Sequence, residues 1–139
     1  LSGNRLTDVR GQLDDLPHLQ LLNLDGNLLC DVDDSFQELR DLHVLNLAYN
    51  GLRQLGNAFQ PLIQMRYLNL SNNQLSSLDE EGFVNLTRLQ GLDLSGNKLS
   101  TVGSALEPLK GLVSLNLSYN SLVSLSHAEI QWLRSLRDL

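Results

Sequence analysis

The chain has 139 residues, 42% hydrophobic and 19% charged, which suits one globular domain and excludes a membrane span. Its apolar runs end after two or three residues, against the ~18 that a spanning helix needs. The net charge of −6 leaves no basic stripe for nucleic acid, and the single cysteine, Cys30, excludes an internal disulfide and a zinc site, so no cofactor or metal is expected.

The charge is uneven along the chain. Residues 1–41 hold nine acids and three bases, while the remainder holds seven of each, so the N-terminal part is the acidic end. Leu1, Asn4, Leu6 and Val9 form the second half of a pattern whose first full copy is Leu19, Leu22, Leu24, Asn27 and Leu29, spaced LxxLxLxxNxL. The spacing returns with Leu42, Leu45, Leu47, Asn50 and Leu52, with Met65, Leu68, Leu70, Asn73 and Leu75, with Leu89, Leu92, Leu94, Asn97 and Leu99, and with Leu112, Leu115, Leu117, Asn120 and Leu122. Asn4, Asn27, Asn50, Asn73, Asn97 and Asn120 lie 23, 23, 23, 24 and 23 residues apart, with a one-residue insertion at Glu80-Glu81. Five full repeats follow, at 19–41, 42–64, 65–88, 89–111 and 112–135, with partial repeats at both ends. One solenoid over residues 1–139 is expected, and it should be a piece cut from a longer array, since Leu1 falls in mid-repeat and Leu133, Leu136 and Leu139 open a further turn.

Within a turn, Val44, Leu45 and Asn46 alternate outward, inward, outward, which is the period of a short strand. Neighbouring turns should pair in parallel and bury their leucines against one another. The asparagine after each strand should turn inward and bond backbone groups of adjacent turns. A second inward pair follows: Leu29 and Val32, Leu52 and Leu55, Leu75 and Leu78, Leu99 and Val102, Leu122 and Leu125. A bulky residue comes next, as Phe36, Phe59 and Phe83, with Leu13, Leu106 and Ile130 standing in. Leu16, Leu39, Leu62, Leu86, Leu109 and Leu133 then close the coil. The return segment is too short for a regular helix and carries Pro61 and Pro108, so irregular backbone with short 3₁₀ pieces is expected.

These residues resemble the leucine-rich repeat family over the whole chain, and the phenylalanine place resembles its typical extracellular class. The resemblance implies an α/β-type solenoid: a curved array with a parallel β-sheet on the concave face and irregular or 3₁₀ segments on the convex face. It also implies a non-enzymatic protein-binding module, the ectodomain segment of a receptor or adhesion protein similar to Toll-like and Slit-like arrays, at the cell surface or outside the cell. A matrix protein and an intracellular scaffold remain alternatives.

Aligning the turns exposes two outward rows. Asn23, Asn46, Asn69, Asp93 and Asn116 should form an amide ladder able to bond sideways. Leu21, Val44 and Tyr67 should form an apolar stripe ~10 Å long, edged by Gln20, His43, Arg66 and Tyr49, and this is the expected ligand-binding face for a protein partner. His18, His43 and His127 fall at unrelated places of the repeat, with no nucleophile matched to them, so catalysis is not expected. Asp31-Val32-Asp33-Asp34 lacks the glycine and distal glutamate of a calcium loop. Trp132 stands where other turns carry solvent-suited residues, and it should pack on a following repeat or form a second contact. Glycosylation sequons occur at Asn69, Asn85 and Asn116. Asn85 is the expected acceptor, because the other two follow from the strand pattern itself.

Overall fold

Three-residue strands repeated every 23 or 24 residues stack into a sheet whose register decides everything that lies on it. The computed structural model describes residues 1–126 together with 129, 131, 133, 136 and 137. In it β1 (Leu21–Asn23), β2 (Val44–Asn46), β3 (Tyr67–Asn69), β4 (Gly91–Asp93) and β5 (Ser114–Asn116) form one parallel sheet in sequence order. Leu22, Leu45, Leu68, Leu92 and Leu115 pair successively, so the extra residue near Glu80 is absorbed outside the strands. All five central leucines are buried, and the residues beside them are partly or fully exposed. A one-residue slip would turn every leucine to water, which is why the register is strict.

Behind the sheet the core runs continuously. Leu24, Leu47, Leu70 and Leu94 are fully buried, as are Leu29, Leu52, Leu75 and Leu99. Phe36, Phe59 and Phe83 form a spine at the back, with the rings of Phe59 and Phe83 stacked at 6.1 Å between centroids. No single turn could cover these side chains, so the burial energy belongs to pairs of turns.

The inward asparagines hold those pairs together. Asn73 donates through Nδ2 to Leu70 O at 3.1 Å in its own turn and to Leu47 O at 3.0 Å in the preceding one, and its Oδ1 accepts the Leu52 N–H at 3.1 Å. Asn27, Asn50, Asn97 and Asn120 repeat parts of this pattern, so that Leu24 O, Leu47 O, Leu70 O and Leu94 O each receive two successive amides. The partners are those expected from sequence.

A second row is set by the backbone. The residue before each inward asparagine has positive φ: Gly3, Gly26, Tyr49, Asn72, Gly96 and Tyr119, at 55° to 67°. That conformation aims the N–H at the next turn, as Tyr49 N–H to Ser71 O at 3.0 Å and Gly96 N–H to Ser118 O at 2.9 Å. Glycine and asparagine tolerate it, whereas a tyrosine is strained.

The convex return segments are irregular, as expected, and their i→i+3 bonds come singly, such as Leu39 N–H to Phe36 O and Leu62 N–H to Phe59 O, both about 3.0–3.1 Å. The 3₁₀ geometry is thus confined to isolated turns. The last segment departs from this: Glu129, Gln131 and Leu133 are helical. Its cause is a capping box that the sequence reading missed, with Glu129 N–H bonded to Ser126 Oγ at 3.2 Å while Glu129 Oε2 accepts the Ser126 N–H. Glu129 Oε1 also accepts the Gly103 N–H of the preceding turn at 2.8 Å.

These bonds to the Glu129 carboxylate, the Ser126 N–H foremost, hold its pKa below the ordinary value of 4.5 although burial opposes them. A depressed carboxyl pKa contributes stability that is present above the unfolded value and is lost as pH falls through the folded one. In thermal melts, Glu129→Gln should therefore lower the melting temperature at neutral pH. The gap to the wild type should narrow as the pH drops below about 4.5. A gap constant down to the most acid pH would contradict this role.

Several side chains expected in the core are not enclosed. Leu16 is 47% exposed and Leu125 37%, and Leu78 and Leu122 are only partly buried. Leu16 belongs to the return segment of the first turn and Leu125 to that of the fifth full repeat. Ile130, Trp132, His127 and Leu139, singled out above, lie outside the described residues.

Candidate ligand-binding face

The outward strand residues line a trough of about 590 Å³ that runs across β2 to β5. Its floor is the row of Asn46, Asn69, Asp93 and Asn116, and Val44, Tyr67, Gly91 and Ser114 make the row beside it. The apolar stripe is where the alternation places it: Leu21 is 62% exposed, Tyr67 51%, and Val44 is half-buried between them. The trough extends beyond the stripe, however, overlapping it at Val44 and Tyr67 and leaving Leu21 outside.

The reason lies in Gly91, which stands beside Tyr67 in the same row on the next strand. A Cβ at Gly91 would come within 2.9 Å of Tyr67 Cδ1, so the phenol ring of β3 lies across the bare backbone of β4. Its hydroxyl donates to Gln90 Oε1 at 3.1 Å. One ring face is supported by the sheet while half of the side chain stays open to solvent. An aromatic followed by a glycine in the same row of the next turn was visible in the sequence, and was the signal for this contact.

The floor residues do not bond sideways as expected. Asn69 Oδ1 accepts the Ser71 N–H at 2.9 Å, and Asn46, Asp93 and Asn116 do the same with Ala48, Ser95 and Ser118 at 2.9–3.0 Å. The acceptor must be oxygen, since the partner is an N–H, and each amide nitrogen is thereby turned outward. Asp93 alone presents a second carboxylate oxygen in that position.

The edging residues are separated by the sheet. Gln20 and Arg66 are exposed and His43 is half-buried, with His43 Nδ1 enclosed and without a hydrogen-bond partner. Tyr49 stands on the opposite rim, 63% exposed, and Tyr119 occupies the same place three turns on, 88% exposed. Tyr119 was missed, although the Tyr-Asn dipeptide recurs at both positions.

The other singled-out residues lie elsewhere. Asp31, Asp33 and Asp34 accept hydrogen bonds within the chain, from Asp33 N–H, Asn57 N–H and Asn57 Nδ2 respectively, at 2.8–3.0 Å. His18 meets Asp41 at 3.0 Å on the surface, and Cys30 is an exposed free thiol. Asn85 is exposed on the return segment, where its Nδ2 donates to Gln60 O at 3.0 Å. No helix among the described residues is long and apolar enough to cross a membrane.

Two family models match the chain: Leucine rich repeat at residues 32–75 and 64–122, and Leucine Rich Repeat at 111–136. Among solved structures, a leucine-rich repeat protein of Leptospira interrogans superposes with a TM-score of 0.86 at 33% identity, over the whole of this chain and 35% of that one. The TLR13–ssRNA13 complex gives 0.70 at 28% identity, over 96% of this chain and 23% of that one. The chain therefore spans about a quarter to a third of the length of these structures. No curated protein matches it.

Proposed function

The chain belongs to the leucine-rich repeat family, and from that premise we propose that it is a segment of a receptor or adhesion ectodomain that binds a protein along its concave face. The observation that carries this reading is the Tyr67 ring, braced on Gly91 and half open over the trough. A large aromatic already held in one orientation loses little freedom on binding and brings much apolar area to the contact. Val44 and Leu21 continue the apolar surface, and Tyr49 and Arg66 edge it. The TLR13 structure carries single-stranded RNA by its name. For this chain the net charge of −6 and a carboxylate as the charged group lining the trough speak against nucleic acid.

Secretion belongs to the same proposal, and Asn85 is then the glycan acceptor, since Asn69 and Asn116 sit in the trough floor that a partner would cover. A second reading, an intracellular scaffold, is favoured by the exposed thiol of Cys30, which a reducing compartment preserves.

Tyr67→Ala should weaken binding of the natural partner by about 2 kcal/mol, roughly thirtyfold. The melting temperature should fall only slightly, by the loss of the ring's contact with β4, under about 1 kcal/mol. Tyr67→Phe keeps the ring and removes only the bond to Gln90, so it should bind within a few-fold of the wild type. Unchanged affinity for Tyr67→Ala in surface plasmon resonance would move the site off the concave face.

A further inference from the structure

The trough floor has a polarity pattern that specifies more than a generic protein partner. Asn46, Asn69 and Asn116 use Oδ1 to close the turn after their strands, which leaves Nδ2 donors facing outward without an acceptor among the described residues. Asp93 closes the same turn through Oδ1, accepting both the Ser95 N–H and the Ser95 hydroxyl. Its second oxygen faces the trough with no cation paired to it among the described residues. Neighbouring strands lie ~4.8 Å apart, so the carboxylate is flanked by amide donors at that spacing. It is half-buried, and the walls of the trough keep part of the solvent away.

We infer that the occupant of the trough is an extended polypeptide segment with a lysine or arginine side chain that enters between β3 and β5 and pairs with Asp93. The segment's carbonyl oxygens take the donors of Asn46, Asn69 and Asn116, and an apolar side chain lies on Tyr67. The acidic excess of residues 1–41 lies at the β1 end of the array, and together with Asp93 it favours the approach of a basic segment from a distance. This inference rests on the concave-face reading proposed above and adds the chemistry of the partner.

The floor permits a test in both directions, because Asn and Asp make the same turn there. Asp93→Asn should keep the bond to the Ser95 N–H, and so the melting temperature, while removing the charge. Asn116→Asp should place a second carboxylate one strand further on, held by Ser118 as Asp93 is held by Ser95. The probe is a phage-displayed library of random linear peptides panned on the full chain, with a glycan array as a second arm. Enriched peptides should carry a lysine or arginine, bind Asp93→Asn roughly tenfold more weakly, and bind Asn116→Asp more tightly. Added salt should weaken wild-type binding more than it weakens Asp93→Asn. Peptides without a basic residue, equal affinity for Asp93→Asn, no enrichment at all, or a glycan bound independently of Asp93 would each overturn the inference. Binding lost in Tyr67→Ala but kept in Asp93→Asn overturns this inference alone, and binding indifferent to both overturns the concave-face reading with it.

Discussion

Replacing Asn73 by alanine should lower the unfolding free energy by about 3 kcal/mol. Asn73 is buried, and its Oδ1 accepts the N–H of the fully buried Leu52 at 3.1 Å. Losing that acceptor leaves a buried donor unsatisfied, at about 1–3 kcal/mol, and the space left by the amide adds to it. Leu47 O and Leu70 O suffer less, since each also receives the amide of a neighbouring asparagine, Asn50 or Asn97. Asn69→Ala, four residues earlier and half-exposed, removes only the bond to the Ser71 N–H, so about 0.5–1 kcal/mol is expected. Denaturant melts of the two variants measure the contrast, and losses of equal size would mean that the inward row does not carry the joint between turns.

Gly56→Ala should cost a comparable amount, about 2–4 kcal/mol, for two reasons that act together. Gly56 has φ of 55°, which an alanine adopts only under strain. The added Cβ would also overlap the Asp33 carboxylate, coming within 2.7 Å of its Cγ. That carboxylate accepts the Asn57 N–H at 2.8 Å, so it cannot swing away without giving up a charge-assisted bond between turns. Gly103 supplies the control, with the same φ of 55° and nothing near its would-be Cβ. Gly103→Ala should show the backbone strain alone, about 1 kcal/mol. Melting temperatures that fall equally in the two variants would remove the Asp33 contact from the account.

The acidic run at Asp31 to Asp34 illustrates how a surface feature changes meaning once turns are stacked. Along the chain it is a cluster of negative charge. In the fold each carboxylate faces an N–H group, two of them contributed by Asn57 of the next turn. Separations of 23 or 24 residues are invisible to local sequence logic unless the repeat is aligned first.

Two features of this protein follow from its residues alone, the period and the face. Leucines at fixed intervals of 23 or 24 residues cannot be buried singly, so stacking is forced, and the two-residue alternation then settles that Leu45 goes in while Val44 and Asn46 go out. The partners of the inward asparagines follow as well, because a buried amide has few alternatives to the backbone beside it. Tertiary structure decided what alternation leaves open, namely which atoms of an outward residue are free. Tyr67 leans on Gly91 because the next strand offers bare backbone at that register, and the site shifts with it toward β4 and β5. Asn46, Asn69 and Asn116 present nitrogen outward because the chain turns at the strand end and engages their oxygen. Asp93, bent by the same turn, therefore faces the trough as a lone acceptor among donors.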